Sequence, residues 1–479
     1  MTQLVRKGAE LDLEVQKLAF GGQGLARVDD FVVFLDRALP GQRVRARITR
    51  KRRQYAEARC LGVLTQSQQY QPAFCQHFGV CGGCSWQELP YDQQLHWKSV
   101  QVAECLQHLA GCPAGVVAPT LAAPETTFYR NKMEYSFSDR LWLPTAPVRS
   151  EFGLDVAEVS AFGLGLHARG TYDKVINLKT CYLQSLLSVA ILREVRSWAR
   201  ASGLPPYNTR SHQGFWRFLV VREGKRTGQT LVHIMTAAHR HQDRVVGELG
   251  AHLLNCFPAI TSLVHSVSHK KAQVAVADET RTVMGPGLIE ERVGALRFKV
   301  SAHSFFQTNS LGAERLYDTI VRLASLEGGE NIWDMYCGTG SIALYCARQA
   351  RRVVGFEVVP EAVADARGNA TLNGIENCSF HLGDINDLSR DPTAMIQDAG
   401  LPDVVISDPP RAGMHPRVVK ALLSLAPAKI VAVSCNPSTL ARDLAMLLPV
   451  YDLTAVQPVD MFPHTPHIEC VATLEKRRP

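Results

Sequence analysis

Nowhere in this chain of 479 residues is there an uninterrupted apolar run of membrane-spanning length, which takes roughly 20 residues. The opening segment MTQLVRKGAELDLEVQK lacks the apolar core of a secretion signal, so the cytoplasm is the expected location and no membrane is an expected partner. Internal repeats and low-complexity tracts are missing too, and no feature calls for an obligate protein partner. Charge is a faint signal. A net +7 is a mild surplus, and such a surplus is usually solvated surface, so it argues only weakly for nucleic acid. Cysteine breaks this restraint. Thirteen of them without a secretion signal argue against a disulfide framework and for reduced thiols, some bound to metal and one catalytic.

What is present is an ordinary globular composition, 46% hydrophobic and 20% charged, over a length that suits about three domains. Residues 1–64 read as a small all-β module, an OB-like barrel in which Gly21-Gly22 and Pro40-Gly41 punctuate short apolar strands such as 31–34. From Arg43 to Ile48 the residues alternate, and period 2 buries Val44, Ala46 and Ile48 while exposing Arg43, Arg45 and Arg47. Arg50 to Arg53 extend the basic run. Such a surface suits an RNA backbone, and the competing reading is an edge strand protected by its charge. Residues 65–300 hold a cysteine-bearing loop, a helical stretch over about 91–120 expected to pack on the C-terminal domain, and a central α+β platform. From 301 to 479 strands alternate with helices, which predicts an α/β, doubly wound, Rossmann-like parallel sheet.

The first strand of that region turns into its first helix through Asp334-Met-Tyr336-Cys-Gly338-Thr-Gly340-Ser341, where glycines let the backbone pass close to a ligand. Glu357 ends the second strand, placed to accept hydrogen bonds from a ribose diol. A dinucleotide would suit the turn equally. S-adenosylmethionine is favoured because the turn has only two glycines, an acid precedes it, and Ser407-Asp408-Pro409-Pro410 stiffens the loop after the fourth strand at the ligand-binding edge. Cys435 ends the fifth strand at that same edge, and Glu469 feeds the last one. A lone cysteine is most often a small buried hydrophobe. Cys337, beside the glycine turn, is the nearest competitor for a catalytic thiol, and position favours Cys435.

Asp408-Pro-Pro-Arg-Ala-Gly413, Ser434-Cys-Asn-Pro-Ser-Thr-Leu-Ala-Arg-Asp443 and Asp460-Met-Phe-Pro-His-Thr465 resemble the RNA uracil-5-methyltransferases, a likeness that runs essentially the whole chain and is densest after about 301. The resemblance implies that Gln307, Tyr336, Ser341, Glu357, Asp384 and Asp408 contact S-adenosylmethionine, that Cys435 is the nucleophile, and that Glu469 is the proton-abstracting base. Ser341 and Asp384 stand where family members carry Asn. The chemistry requires both catalytic groups, because carbon 5 of uracil becomes nucleophilic only once a thiolate has added at carbon 6, and a base must then remove the carbon 5 proton. The first module resembles a TRAM domain, and the central platform is expected to bind RNA.

Cys75-x5-Cys81-Gly-Gly-Cys84 has metal-type spacing. Spacing alone leaves an iron–sulfur cluster and zinc both open, although structural zinc usually shows two Cys-x2-Cys pairs. The resemblance to TRAM-bearing ribosomal RNA members implies a 4Fe–4S cluster with Cys181 as the remote ligand, ahead of Cys105 and Cys112. Those members carry both barrel and cluster, whereas the transfer-RNA members used for comparison lack both, so a uridine in 23S ribosomal RNA is the expected substrate and transfer RNA the alternative. Two rivals remain. Other base methyltransferases are disfavoured because Arg411, neither aromatic nor Cys, follows Pro410. A silent RNA-binding factor predicts damage to Cys435, Glu469 or the glycine turn, and all are intact.

Overall fold

The computed structural model describes residues 5–142, 162–272, 274–385 and 392–478. At the N-terminal end six strands form one sheet in the order Glu10–Glu14, Arg43–Lys51, Tyr55–Thr65, Phe31–Asp36, Gly24–Val28 and Lys17–Leu18. The alternation at 43–48 holds, with Val44, Ala46 and Ile48 buried beside Leu13, Val33 and Leu35. The edge-strand reading of the arginine row does not hold. Strand Arg43–Lys51 is interior, since Glu10–Glu14 covers it, and the register sets Glu10 opposite Arg47 and Asp12 opposite Arg45. Arg45 donates to both Asp12 oxygens at 2.9 and 3.1 Å, and Arg47 donates twice to Glu10 at 3.1 and 2.6 Å. The row is half of a cross-strand charge ladder. Its pairs are solvent-exposed and therefore weak.

The central sheet has seven strands, ordered Glu279–Met284, Ile260–Val267, Thr230–Thr236, Trp216–Glu223, Lys132–Ser138, Gly163–His167 and Val175–Ile176. Helices Leu186–Ala201 and Gln242–Cys256 join one core with Tyr135, Leu219, Val232 and Ile234. Leu231 and Val264 instead share a core with Ile289 and Phe298 of the hairpin Leu288–Val293/Leu296–Ser301, and with Leu316 of helix Ser310–Ala324. The hairpin thereby joins the central sheet to the C-terminal one.

The C-terminal sheet runs Cys378–Leu382, Arg352–Glu357, Asn331–Met335, Val404–Ser407, Lys429–Ser434, Glu469–Lys476 and Tyr451–Val459. The first five strands are parallel, and all but the edge strand Cys378–Leu382 are buried on both faces: Ile332 enters one core and Trp333 the other. The last strand departs from the all-parallel expectation. Glu469–Lys476 is antiparallel to both neighbours, because the link 460–468 is shorter than the dozen or so residues a parallel crossover requires.

Helix Tyr91–Ala110 packs against helix Pro437–Leu447, and its Val102 and Leu106 lie in one core with Leu440, Leu444 and Ile468. It stops ten residues short of the expected 120. Gly111 takes φ +68° and caps the helix, and only the single turn Ala114–Val116 follows. Among the described residues no helix is long and apolar enough to cross a membrane.

Candidate active site and cysteine centre

The glycine turn is built for close approach. Gly338 and Gly340 have φ of +54° and +79°, and a Cβ on Gly340 would lie 2.9 Å from the Phe380 ring, so only glycine fits there. The Glu357 carboxylate braces this turn by accepting from the Gly338 amide at 3.0 Å and from the Val358 and Val359 amides at 2.7 and 3.0 Å. An ionised carboxylate has about four acceptor sites, so one remains for a ligand hydroxyl. Ser341 accepts a hydrogen bond from the buried Tyr317 hydroxyl at 2.9 Å. Gln307 is fixed through its backbone, where its carbonyl accepts from Asn131 at 2.9 Å.

These residues open on a cleft of about 1440 Å³ whose wall includes Gln307, Tyr336, Ser341, Glu357, Asp384 and Asp408, and also Cys435 and Glu469. All eight residues expected at the site are thus brought together. The volume exceeds the roughly 300–1,000 Å³ of a usual small-molecule pocket and leaves room for a nucleobase beside a cofactor. The turn free of Cβ, the spare acceptor on Glu357 and this volume fit S-adenosylmethionine.

Two sequence motifs interlock to set the nucleophile. Arg442 donates to the Ala412 and Met414 carbonyls, both at 3.0 Å, while Asp443 accepts from the Met414 amide at 2.8 Å. Asn436 caps helix Pro437–Leu447 by accepting from the Ser438 amide at 3.1 Å, and it also donates to the Arg411 carbonyl at 3.2 Å. The 434–443 segment therefore grips the 408–413 loop and holds Cys435 beside Asp408.

Burial sets the resting protonation of the site. The Cys435 thiol is pushed up to about 11 by desolvation, and further by Glu469 and Asp408, with Arg411 opposing. Desolvation raises Asp408 to about 6. Glu469 is pushed well above the usual carboxylate range by its own burial and by Asp408, with Lys98 opposing.

The loop before Glu469 is held by residues that sequence reasoning did not select. Lys98, fully buried, donates to Asp460 at 2.6 Å and to the Phe462 carbonyl at 3.3 Å. Removing one partner of such a buried pair costs about 3–5 kcal/mol. Gln94 accepts from the His464 amide at 2.8 Å, and the Ser85 and Trp86 amides donate to the His464 carbonyl at 2.9 and 3.1 Å. A signal existed. Gln94, Lys98 and Gln101 recur at helical spacing on the stripe that Val102 and Leu106 continue, so polar groups occupy a buried face and need partners there.

Cys75, Cys81, Cys84 and Cys181 are mutual neighbours, each close enough that a charge on one disfavours charge on another. Donors already point at the sulfurs. The Gly83 amide reaches Cys81 Sγ at 3.4 Å, the Gln87 side chain reaches Cys84, and the Leu183 and Gln184 amides reach Cys181. Such donors stabilise metal-bound thiolates and tune iron–sulfur centres. Desolvation holds the free Cys81 and Cys84 thiols up at about 11 and 12. Four neighbouring thiols with donors already aimed at them are a donor set that fits an iron–sulfur cluster.

Residues 272–477 match the family model described as tRNA (uracil-5-)-methyltransferase, and residues 4–61 match the TRAM domain. An uncharacterised RNA methyltransferase of Nitratidesulfovibrio vulgaris is 42% identical over 98% of this chain and 97% of its own. Another, from Bacteroides thetaiotaomicron, is 40% identical over 96% of this chain and 100% of its own. Among solved structures, the Pyrococcus abyssi tRNA (uracil-54, C5)-methyltransferase in complex with S-adenosyl-L-homocysteine superposes with a TM-score of 0.74 at 26% identity, covering 97% of this chain and 100% of that one.

Proposed function

Because the chain belongs to the RNA uracil-5-methyltransferase family and carries a TRAM domain, we propose that it methylates one uridine of a structured RNA at carbon 5, through a covalent adduct on Cys435 and proton removal by Glu469. The observation that carries this reading is the meeting of Cys435, Glu469 and Asp408 on the wall that also holds Glu357 and the glycine turn. The target uracil leaves its stack to reach them. The Cys435 thiol passes its proton to solvent in the open cleft as Sγ bonds to carbon 6, and the carbon 5–carbon 6 π pair moves toward the carbon 4 oxygen, leaving carbon 5 enolate-like. S-adenosylmethionine supplies the methyl group that carbon 5 takes. Glu469 then removes the carbon 5 proton, the double bond re-forms, and Sγ leaves carbon 6 with its bonding pair. Gln307, Tyr336, Ser341, Glu357, Asp384 and Asp408 hold the methyl donor. The reaction takes place in the cytoplasm, where structured RNA is made.

The proposed substrate is 23S ribosomal RNA. One observation favours transfer RNA as a second reading: the solved enzyme named for uracil 54 of tRNA matches over 97% of this chain, barrel region included. A barrel therefore does not separate the two substrates, and the argument from its presence loses that support. The test is to delete the gene and quantify 5-methyluridine separately in 23S ribosomal and transfer RNA. We expect the modification to vanish from ribosomal RNA. Loss confined to transfer RNA overturns that substrate, and loss from neither overturns the function.

Cys75, Cys81, Cys84 and Cys181 are the proposed ligands of a 4Fe–4S cluster, which when bound would tie the 75–84 loop to the central domain. Protein purified without air is expected to be brown, with iron and sulfide in equal amounts, and Cys81→Ser or Cys84→Ser to bleach it. A colourless protein with stoichiometric zinc refutes the assignment.

A further inference from the structure

We propose that Lys98 is a positioning residue for Glu469: its buried ammonium, oriented by Asp460, supplies the positive potential that lets this carboxyl act as a base. The inference rests on the reading of Glu469 as the proton-abstracting group. Lys98 comes from helix Tyr91–Ala110, outside the C-terminal sheet, and reaches the far end of the chain with neither it nor Asp460 exposed to solvent.

The need for such a cation follows from the surroundings. Glu469 opens its strand buried and beside Asp408, and both favour the protonated carboxyl. Cys435, Cys470 and Tyr317 also lie near it, and burial keeps all three protonated at neutral pH. On the 460–468 loop, His464 is held down at about 4 and His467 is lowered too, so neither brings a positive charge. Val459 is the register partner of Glu469 and Asp460 follows it, so Lys98, bonded to Asp460 at 2.6 Å, is brought near the base and, among the described residues, is the cation that opposes its proton.

The geometry around Asp460 shows why the Lys98 charge is not simply cancelled. One Asp460 oxygen accepts from Lys98 at 2.6 Å and from the Phe462 amide at 3.0 Å, while the other accepts from the Tyr91 hydroxyl at 2.9 Å. Two neutral donors thus share its negative charge. Lys98 spends its second hydrogen bond on the Phe462 carbonyl at 3.3 Å, and an ammonium has three donors. Burial pushes the Lys98 ammonium down, and the Asp460 carboxylate opposes that shift.

The test uses full-length protein, labelled S-adenosylmethionine and RNA from the deletion strain, with methylation and covalent protein–RNA adduct followed across pH. Attack and resolution are thereby read separately. In Lys98→Met the adduct is expected to accumulate at neutral pH, and the acid limb of its resolution to move up by about one pH unit or more, the size of effect an adjacent cation has on a carboxyl. Lys98→Met/Asp460→Asn, which leaves no unpaired buried charge, is expected to behave alike, and Lys98→Arg to keep the parent profile. A folded variant that loses rate equally at every pH, or keeps the parent profile, overturns the inference. So does loss of folded protein in both neutralised variants, which makes Lys98 a structural residue only. Glu469→Gln run in parallel separates the two failures: normal turnover there removes the base itself, whatever Lys98 does.

Discussion

Cys435→Ala is expected to lose methyl transfer by on the order of 10⁴-fold or more, because removing the residue that forms the covalent intermediate removes the pathway and not merely a stabilising contact. S-adenosylmethionine binding is expected to survive. The glycine turn, Glu357 and the Tyr317–Ser341 hydrogen bond lie on other strands and helices and do not depend on the thiol. The strand–helix junction is also expected to hold, since Asn436 caps helix Pro437–Leu447 with its own side chain. Transfer of labelled methyl to RNA, paired with calorimetry for the cofactor, checks both halves. Turnover comparable to the parent enzyme sinks the adduct mechanism.

Glu469→Gln is expected to do something different in kind. The amide keeps the volume of the buried side chain and cannot accept the carbon 5 proton, so Cys435 still attacks, carbon 5 still takes its methyl group, and the product cannot leave. Turnover should fall by about 10²–10⁴-fold, the usual contribution of a positioned base. A protein–RNA band should accumulate on a denaturing gel in proportion to enzyme. The substitution also removes a carboxyl whose burial and proximity to Asp408 disfavour its ionisation, so it is not expected to unfold the protein. A variant that methylates at the normal rate with no trapped band places the base elsewhere.

Much of this site was legible because its residues end strands. The register of a parallel sheet brings the carboxyl ends of strands to one edge, so Glu357, Asp408 and Cys435 could be placed together from the strand pattern alone. What was not legible depends on direction and distance. Nothing in the residues 469–476 states that the last strand runs antiparallel between two others, because alternation and apolar runs carry no sense of direction. The charge ladder at Glu10 and Asp12 was missed because the pairing depends on which strand lies beside Arg43–Lys51. Lys98 shares a buried stripe with Gln94 and Gln101, but a lysine on an amphipathic helix is ordinarily solvated, and the partner that holds it lies far along the chain.

That partner lies 362 positions away, and this has a consequence for how the protein is made. Strand Tyr451–Val459 is synthesised before Glu469–Lys476, the one sheet strand it pairs with, so on emergence it has only the bridges to Val117 and Leu121 to join. The slot beside Lys429–Ser434 stays open until the final strand leaves the ribosome. Contacts of such long sequence separation form slowly, and an open sheet edge invites mispairing while it waits. A chain interrupted between Cys435 and Glu469 would hold the thiol and the glycine turn, yet neither the base nor a closed sheet. The base and the strand that fills the sheet therefore arrive together, so this sheet cannot close without also completing the wall that holds Cys435.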